Sequence, residues 1–155
     1  MATRTWEGHV LAGWWSRVLA TIVDTLLSFC AFAVLFGIAA ALQAAGAPPA
    51  LYIPFSASGL LSLWLLPAIT MAITNGQSPG KQAARVSVVR TNGKPATVPW
   101  SVLREWPVKA LLLVTVVLDQ LWPLWDRENR ALHDMVVGSR VVSIDAPGGQ
   151  DPLPE

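Results

Sequence analysis

Charge is scarce in this chain of 155 residues: 14% of positions are Asp, Glu, Lys or Arg, while 53% are hydrophobic. An ordinary soluble domain has about a quarter of its residues charged. The composition therefore excludes that class and indicates an integral membrane protein. Cysteine is scarcer still. With Cys30 alone, an internal disulfide is excluded. His9 and His133 stand far apart and no second cysteine helps them, so no ordinary structural zinc site is visible, and neither a metal nor a cofactor is expected. The net charge of +1 gives no general basis for nucleic-acid binding, and the information lies in where the few charges fall.

What the chain has in quantity is uninterrupted apolar sequence. The first run, Ser16 to Leu42, exceeds the roughly 30 Å hydrocarbon core at 1.5 Å per residue and would tilt to fit. It is longer than the 7 to 15 residues of a typical signal-peptide core and contains Asp24, so it reads as a resident helix. The linker "QAAGAPPALY" then breaks helix at Gly46, Pro48 and Pro49, and a second uncharged run, Ile53 to Thr74, closes a transmembrane hairpin. Pro54 sits harmlessly in its first turn. Pro67 falls mid-segment and should kink or break the helix, with freed carbonyls able to line a cavity.

Acidic residues are absent from the next stretch, residues 75–99, which carries Lys81, Arg85, Arg90 and Lys94. The positive-inside rule makes this loop cytoplasmic, and with it, two crossings earlier, the N-terminus at residues 1–12. Within the loop, "ARVSVVRT" has the alternation and β-branching of a strand. The third apolar segment, residues 101–124, opens with Arg104, Glu105 and Lys109, which belong at the interface, and meets Asp119 before Pro123. It either crosses or enters and returns. Beyond it, "DRENRALHDMVVGSRVVSIDAPGGQDPLPE" mixes both signs of charge and ends in a Pro/Gly/Asp tail at 143–155 that reads as disordered. The expected fold is an all-α membrane protein, with helices over about 16–42, 53–74 and 101–124 and room for a small cytoplasmic β-pair.

Two short motifs suggest chemistry and fail on spacing. "GQSPGK", residues Gly76, Gln77, Ser78, Pro79, Gly80 and Lys81, has three residues between its glycines where a phosphate-binding loop has four, and Gln82 follows the lysine where Ser or Thr is required. The pair His133 and Asp134 lacks further ligands at metal-site spacing. The eight tryptophans read as membrane-boundary anchors.

Arg17 and Asp24 pose the sharper question. Seven residues apart, they share one helix stripe within about 20° but lie roughly 10 Å apart along the axis, beyond direct contact. Arg17 can snorkel to headgroups. Asp24 cannot, and insertion scales assign about 2.5 to 3.5 kcal/mol to an aspartate at mid-helix. It needs a partner, with Arg104 or Lys109 at suitable depth, or else a cation, water or proton.

The blocks "GWWSRVLATIVDTLL", "GQSPGKQAARVSVVRTNGKPATVPWSVLRE" and "WDRENRALHDMVVGSRVV" resemble, in that order, the RDD family of bacterial membrane proteins, over about residues 11 to 142. The arginine and two aspartates that give the family its name match Arg17, Asp24 and Asp134. Ser78 and Ser139 stand where the family pattern has threonine, which keeps both hydroxyls. The resemblance implies a multi-pass protein of the inner (plasma) membrane, whose family has no settled function. Ligand transport has been proposed for it, and sodium/proton exchange for some members. Two functions are accordingly expected to compete. One is a small oligomeric transporter of ions or small ligands, in which Asp24 takes a monovalent cation or proton, Arg17 balances its charge, and Asp134 with Arg140 organises the cytoplasmic mouth. The other is an accessory or scaffolding subunit of a larger membrane complex, favoured by the close-packing residues Gly13, Ala20, Gly37 and Ala41. The residues of the resemblance include no nucleophile with an adjacent base, so an enzyme is not expected.

Overall fold

The computed structural model describes residues 5–145 except 7, 93, 95, 111 and 112, with side chains described outside 106–116. Two long helices dominate it. Helix α1, Trp14–Ala44, and helix α2, Pro49–Ile73, are both long and apolar enough to cross a membrane. Only 11% of the most apolar stretch of α1 and 22% of that of α2 is buried within the protein. Leu26, Phe29, Val34, Leu51 and Leu60 stand exposed along them, which suits lipid-facing helices and does not suit core helices of a soluble domain. The two pack as a hairpin, and Gly59 of α2 lets the backbone of α1 approach: a β-carbon there would lie 3.4 Å from Phe32 O and from Leu35 Cβ.

The hairpin turn follows from its residues. Gly46 takes φ +75° just past the end of α1, and Pro48 and Pro49 supply the N-cap and first position of α2. Pro54 and Pro67 both lie inside α2, and the helix runs through Pro67 without the break that was one of the two expectations for it. Nearby, the Thr70 hydroxyl donates to Leu66 O at 2.7 Å and to Pro67 O at 3.2 Å, giving those carbonyls a second donor in an apolar setting.

The remainder gathers at the end of the hairpin where α1 begins and α2 stops. A two-stranded hairpin, β1 at Thr5–Trp6 and β2 at His9–Val10, precedes α1. After α2 come the short helix α3, Pro79–Ala83, and strand β3, Val86–Arg90. Helix α4, Val98–Ala110, and helix α5, Leu113–Leu121, follow, then a 3-10 turn at Trp122–Leu124, helix α6, Leu132–Val137, and strand β4, Ser139–Ser143. The segment expected as a helix over 101–124 is helical on both sides of residues 111 and 112, which lie outside the described residues, and it closes in the 3-10 turn. The expected tail, 143–155, lies outside the described residues from position 146 onward.

Strand β3 pairs antiparallel with β4, Val86 opposite Ser143 and Arg90 opposite Ser139. Leu11 bridges to Val142, and Ala12 N–H donates to Val141 O at 2.9 Å, so the start of α1 is stitched to the same sheet. Ala12, Ala20, Met71, Val86, Val88, Trp100 and Val141 form one buried cluster beneath it. Two residues with positive φ, Asn75 at 51° and Gly76 at 99°, turn the chain from α2 into this unit. Gly76 cannot be replaced cheaply, since a β-carbon there would lie 2.2 Å from Val88 O. Backbone strain of this kind costs about 1–3 kcal/mol. Gly76→Ala is expected to destabilise the detergent-solubilised protein by at least that order, read as a lower thermal unfolding midpoint, whereas Gly37→Ala, with open space at its β-carbon position, should leave the midpoint unchanged or raise it.

Candidate functional site

The polar residues that sequence could not connect converge between the start of α1 and α4, α5 and α6. At the centre is Asp134, fully buried. Its carboxylate accepts Arg17 Nη1 at 2.8 Å, Arg104 Nη2 at 2.7 Å and the Ser139 hydroxyl at 2.7 Å, with the Ala131 backbone N–H at 3.3 Å. As the third residue of α6, it also caps the start of its own helix. His133 Nε2 stands 3.4 Å from it. Burial alone would oppose ionisation of Asp134, but the charges of Arg104, His133 and Arg17, with the Ser139 hydrogen bond, outweigh it and hold the carboxyl well below the usual range. Arg17 and Asp134, more than a hundred residues apart, are thus in direct contact.

Asp24 forms a second centre, one that uses neither Arg104 nor Arg17. One of its oxygens accepts the Ser78 hydroxyl, and the other accepts Gly80 N–H at 2.8 Å. Lys81 Nζ lies 3.7 Å away. The "GQSPGK" loop is therefore held against α1 by the aspartate that seemed to lack a partner. The contact requires glycine at position 80, where a β-carbon would stand 2.1 Å from Ala20 O and 2.8 Å from the Asp24 carboxylate. Pro79 opens α3 at its first turn, and Ser78 precedes it as N-cap.

Glu105 joins the centres, since its carboxylate meets Arg104 Nη1 at 2.9 Å and Lys81 Nζ at 3.8 Å. Asp119, nearly fully buried, accepts from the His133 backbone N–H at 3.0 Å and faces His133 Nδ1 at 2.7 Å. Both nitrogens of His133 thus face carboxylates, Asp119 and Asp134. Arg17, Lys81, Arg104 and the His133 ring stand among four carboxylates, Asp24, Glu105, Asp119 and Asp134. A cavity of about 160 Å³ opens among Arg17, Asp24, Lys81, Arg104, Glu105 and His133, with Thr21, Thr25, Pro67 and Gln120 also on its wall.

One expected member stands elsewhere. Arg140 does not reach Asp134: it pairs with Glu128, donates to Ser139 O at 3.0 Å and lies 5.8 Å from the Trp6 ring centre. Its neighbour in sequence, Ser139, is the residue of β4 that bonds Asp134. The Lys109 side chain lies outside the described residues, and Arg104, the other expected partner of Asp24, is committed to Asp134 and Glu105. Glu105 and His133 are the members that sequence reading missed as site residues. Glu105 was noted only as an interfacial charge, and the His133–Asp134 pair was tested only as a metal motif. Among the described residues no cluster of three or more metal-ligating side chains occurs.

A family model described as the RDD family matches residues 11–138. No curated protein and no solved structure matches.

Removing one partner of a buried ion pair costs about 3–5 kcal/mol, because the other is left charged and unpaired. Asp134→Asn, which removes the charge that Arg17 and Arg104 share, is expected to destabilise the solubilised protein by about that much. Because the Asp134 pKa falls on folding, from about 3.9 in an unfolded chain, its ionisation contributes stability above about pH 4, and this contribution is lost as pH falls through the lower folded value. Unfolding midpoints taken from pH 7 down to 3 should thus show an acid-side loss in the wild type that is smaller in Asp134→Asn.

Proposed function

The chain belongs to the RDD family, and its two long apolar helices fit a membrane protein; from that premise we propose a small carrier for ions or small ligands that works as a closed homo-oligomer. The observation that carries this reading is the cavity of about 160 Å³, walled by buried charges at the level of Arg17 and Asp24 in the first apolar helix. Ionisable groups at that position in an apolar helix are costly and characteristically mark a pathway or a polar partner. Two helices cannot enclose a route on their own, so neighbouring copies supply the remaining wall.

The arrangement supports a particular membrane topology. Strands hydrogen-bond only within one aqueous compartment, and β3 pairs with β4 across the intervening segment 98–124. That supports an α4–α5 unit that enters and returns, or lies along the interface, with no net crossing. The cationic, acid-free loop at 75–99 supports a cytoplasmic side for this whole unit and the N-terminus, in an inner (plasma) membrane. The cavity would then open near the cytoplasmic face. Asp24 was expected to be the ion ligand, but its oxygens are taken by Ser78 and Gly80. In this reading it anchors the α3 loop that walls the cavity, and the ligand contacts the other cavity groups.

A second reading, an accessory subunit of a larger membrane complex, is favoured by the exposure of Val136 (76%) in α6, outside the two long helices. Two measurements separate the readings. Mild-detergent extraction should give a single closed oligomer of this chain, and reconstituted vesicles should pass sodium, protons or a small organic anion faster than protein-free vesicles, with Thr25→Trp, which fills the cavity, abolishing the difference. Co-purification with one larger membrane protein, together with flux no faster than in empty vesicles, would leave the accessory reading standing.

A further inference from the structure

Arg17 uses only part of its guanidinium. Nη1 donates to Asp134, while Nε and Nη2, both buried, have no hydrogen-bond partner among the described residues. The side chain is 8% exposed. A guanidinium left with a dry, unpaired edge is unfavourable, because a buried donor without an acceptor incurs its full desolvation cost. The Nε–Nη2 edge is also the one whose two N–H groups run parallel, the geometry that takes both oxygens of a carboxylate or two oxygens of a phosphate.

We infer that the buried Nε–Nη2 edge of Arg17 is the anchor of a binding site for one oxyanion group, a carboxylate or phosphate, seated in the cavity between α1, α4 and α5. The inference rests on the carrier reading for its purpose and names the ligand class, but the site itself would stand without transport. Arg17 lines the cavity. The volume of about 160 Å³ is far above the roughly 10–15 Å³ that one water needs, and it accommodates a group of that size.

The distribution of charge favours an anion at this end. Around Arg17, the second guanidinium of Arg104 and the His133 ring stand with Asp134 and Asp119, so the two arginines match the two carboxylates. At the other end, Lys81 faces Asp24 and Glu105, an excess of one negative charge. The chamber is therefore polarised, and the free donor edge lies away from its acidic end. The carboxylates on the wall do not compete for that edge, because each is engaged: Asp24 by Ser78 and Gly80, Glu105 by Arg104, Asp119 by His133. Near Arg17, the Gln120 side-chain amide donates to the Thr21 hydroxyl at 3.4 Å, and the Gln120 backbone carbonyl accepts Trp14 Nε1 at 2.7 Å.

The same chemistry is offered by a free anion in the cytoplasm and by an anionic lipid headgroup, and the test separates them. Full-length protein in an uncharged detergent is titrated with sodium phosphate and with sodium acetate against sodium chloride at equal ionic strength, and binding is read by calorimetry and by the unfolding midpoint. The same protein is then compared in bilayers of phosphatidylcholine with and without phosphatidylglycerol. Saturable binding of phosphate or acetate assigns the site to a free anion. Stabilisation only by phosphatidylglycerol assigns it to a headgroup. In either case Arg17→Lys, which keeps the charge and loses the fork, should weaken binding about tenfold or more, the loss of one charge-assisted hydrogen bond. Gln120→Glu, a rim change that leaves the Asp134 contacts in place, should weaken it in the same direction by setting a carboxylate near the site. If neither anion nor headgroup differs from chloride or from pure phosphatidylcholine, or if Gln120→Glu binds as the wild type does, the site is overturned. Binding with no flux would retire the carrier reading and leave the site intact, whereas flux with no anion binding would do the reverse.

Discussion

A carboxylate with no exposure to solvent persists only where positive charge and donors surround it, and Asp134 obtains these from elements far apart in sequence. Arg17 comes from the start of the first long helix, Arg104 from α4, and Ser139 from the strand that follows α6. The rest of the arrangement depends on that requirement. For Arg17 and Arg104 to meet one carboxylate, the chain after α5 must fold back over the beginning of α1, which puts β4 within reach of both β3 and Leu11. The sheet and the apolar cluster of Ala20, Met71, Val86 and Trp100 beneath it then help to bury Asp134 and its two arginines, which strengthens those ion pairs in turn.

The two aspartates of the family pattern have different tasks. Asp134 gathers cations, while Asp24 grips a loop through a serine hydroxyl and a backbone N–H. That division explains why the loop needs its particular residues. Ser78 supplies the donor, Pro79 starts the helix, Gly80 permits contact closer than any side chain would allow, and Lys81 brings the compensating charge. An isolated aspartate inside an apolar helix looks like an ion site. Given a loop of the right shape it becomes a clasp, and the polar space left over lies beside it, next to Arg17.

Much of the fold was legible because lipid imposes simple rules. Long apolar runs, proline and glycine at Gly46 to Pro49, and a cationic loop gave the hairpin in outline, and the alternation in "ARVSVVRT" marked one of the two strands that pair. The third segment was harder to read. Its apolar stretch is short and flanked by charges, and whether such a segment crosses depends on contacts at its two ends that no local pattern records. The site was legible in its members and illegible in its pairings. Arg17, Asp24 and Asp134 were picked out, but the helical spacing that separates Arg17 from Asp24 says nothing of Asp134, more than a hundred residues on. Arg140 was placed with Asp134 at the cytoplasmic mouth, yet alternation along β4 turns Ser139 toward the carboxylate and leaves Arg140 to Glu128.

The account therefore stands or falls on α6 and β4 sharing a compartment with the start of α1, opposite the turn between α1 and α2. Single cysteines at Ala47 and at Asp145, in a Cys30→Ser background, can be probed in intact cells and in opened membranes with a thiol reagent that does not cross lipid. The account predicts that Ala47→Cys reacts from outside and that Asp145→Cys reacts only once the membrane is opened. Equal reaction of both positions in intact cells would place β4 across the bilayer from β3 and contradict the closure around Asp134.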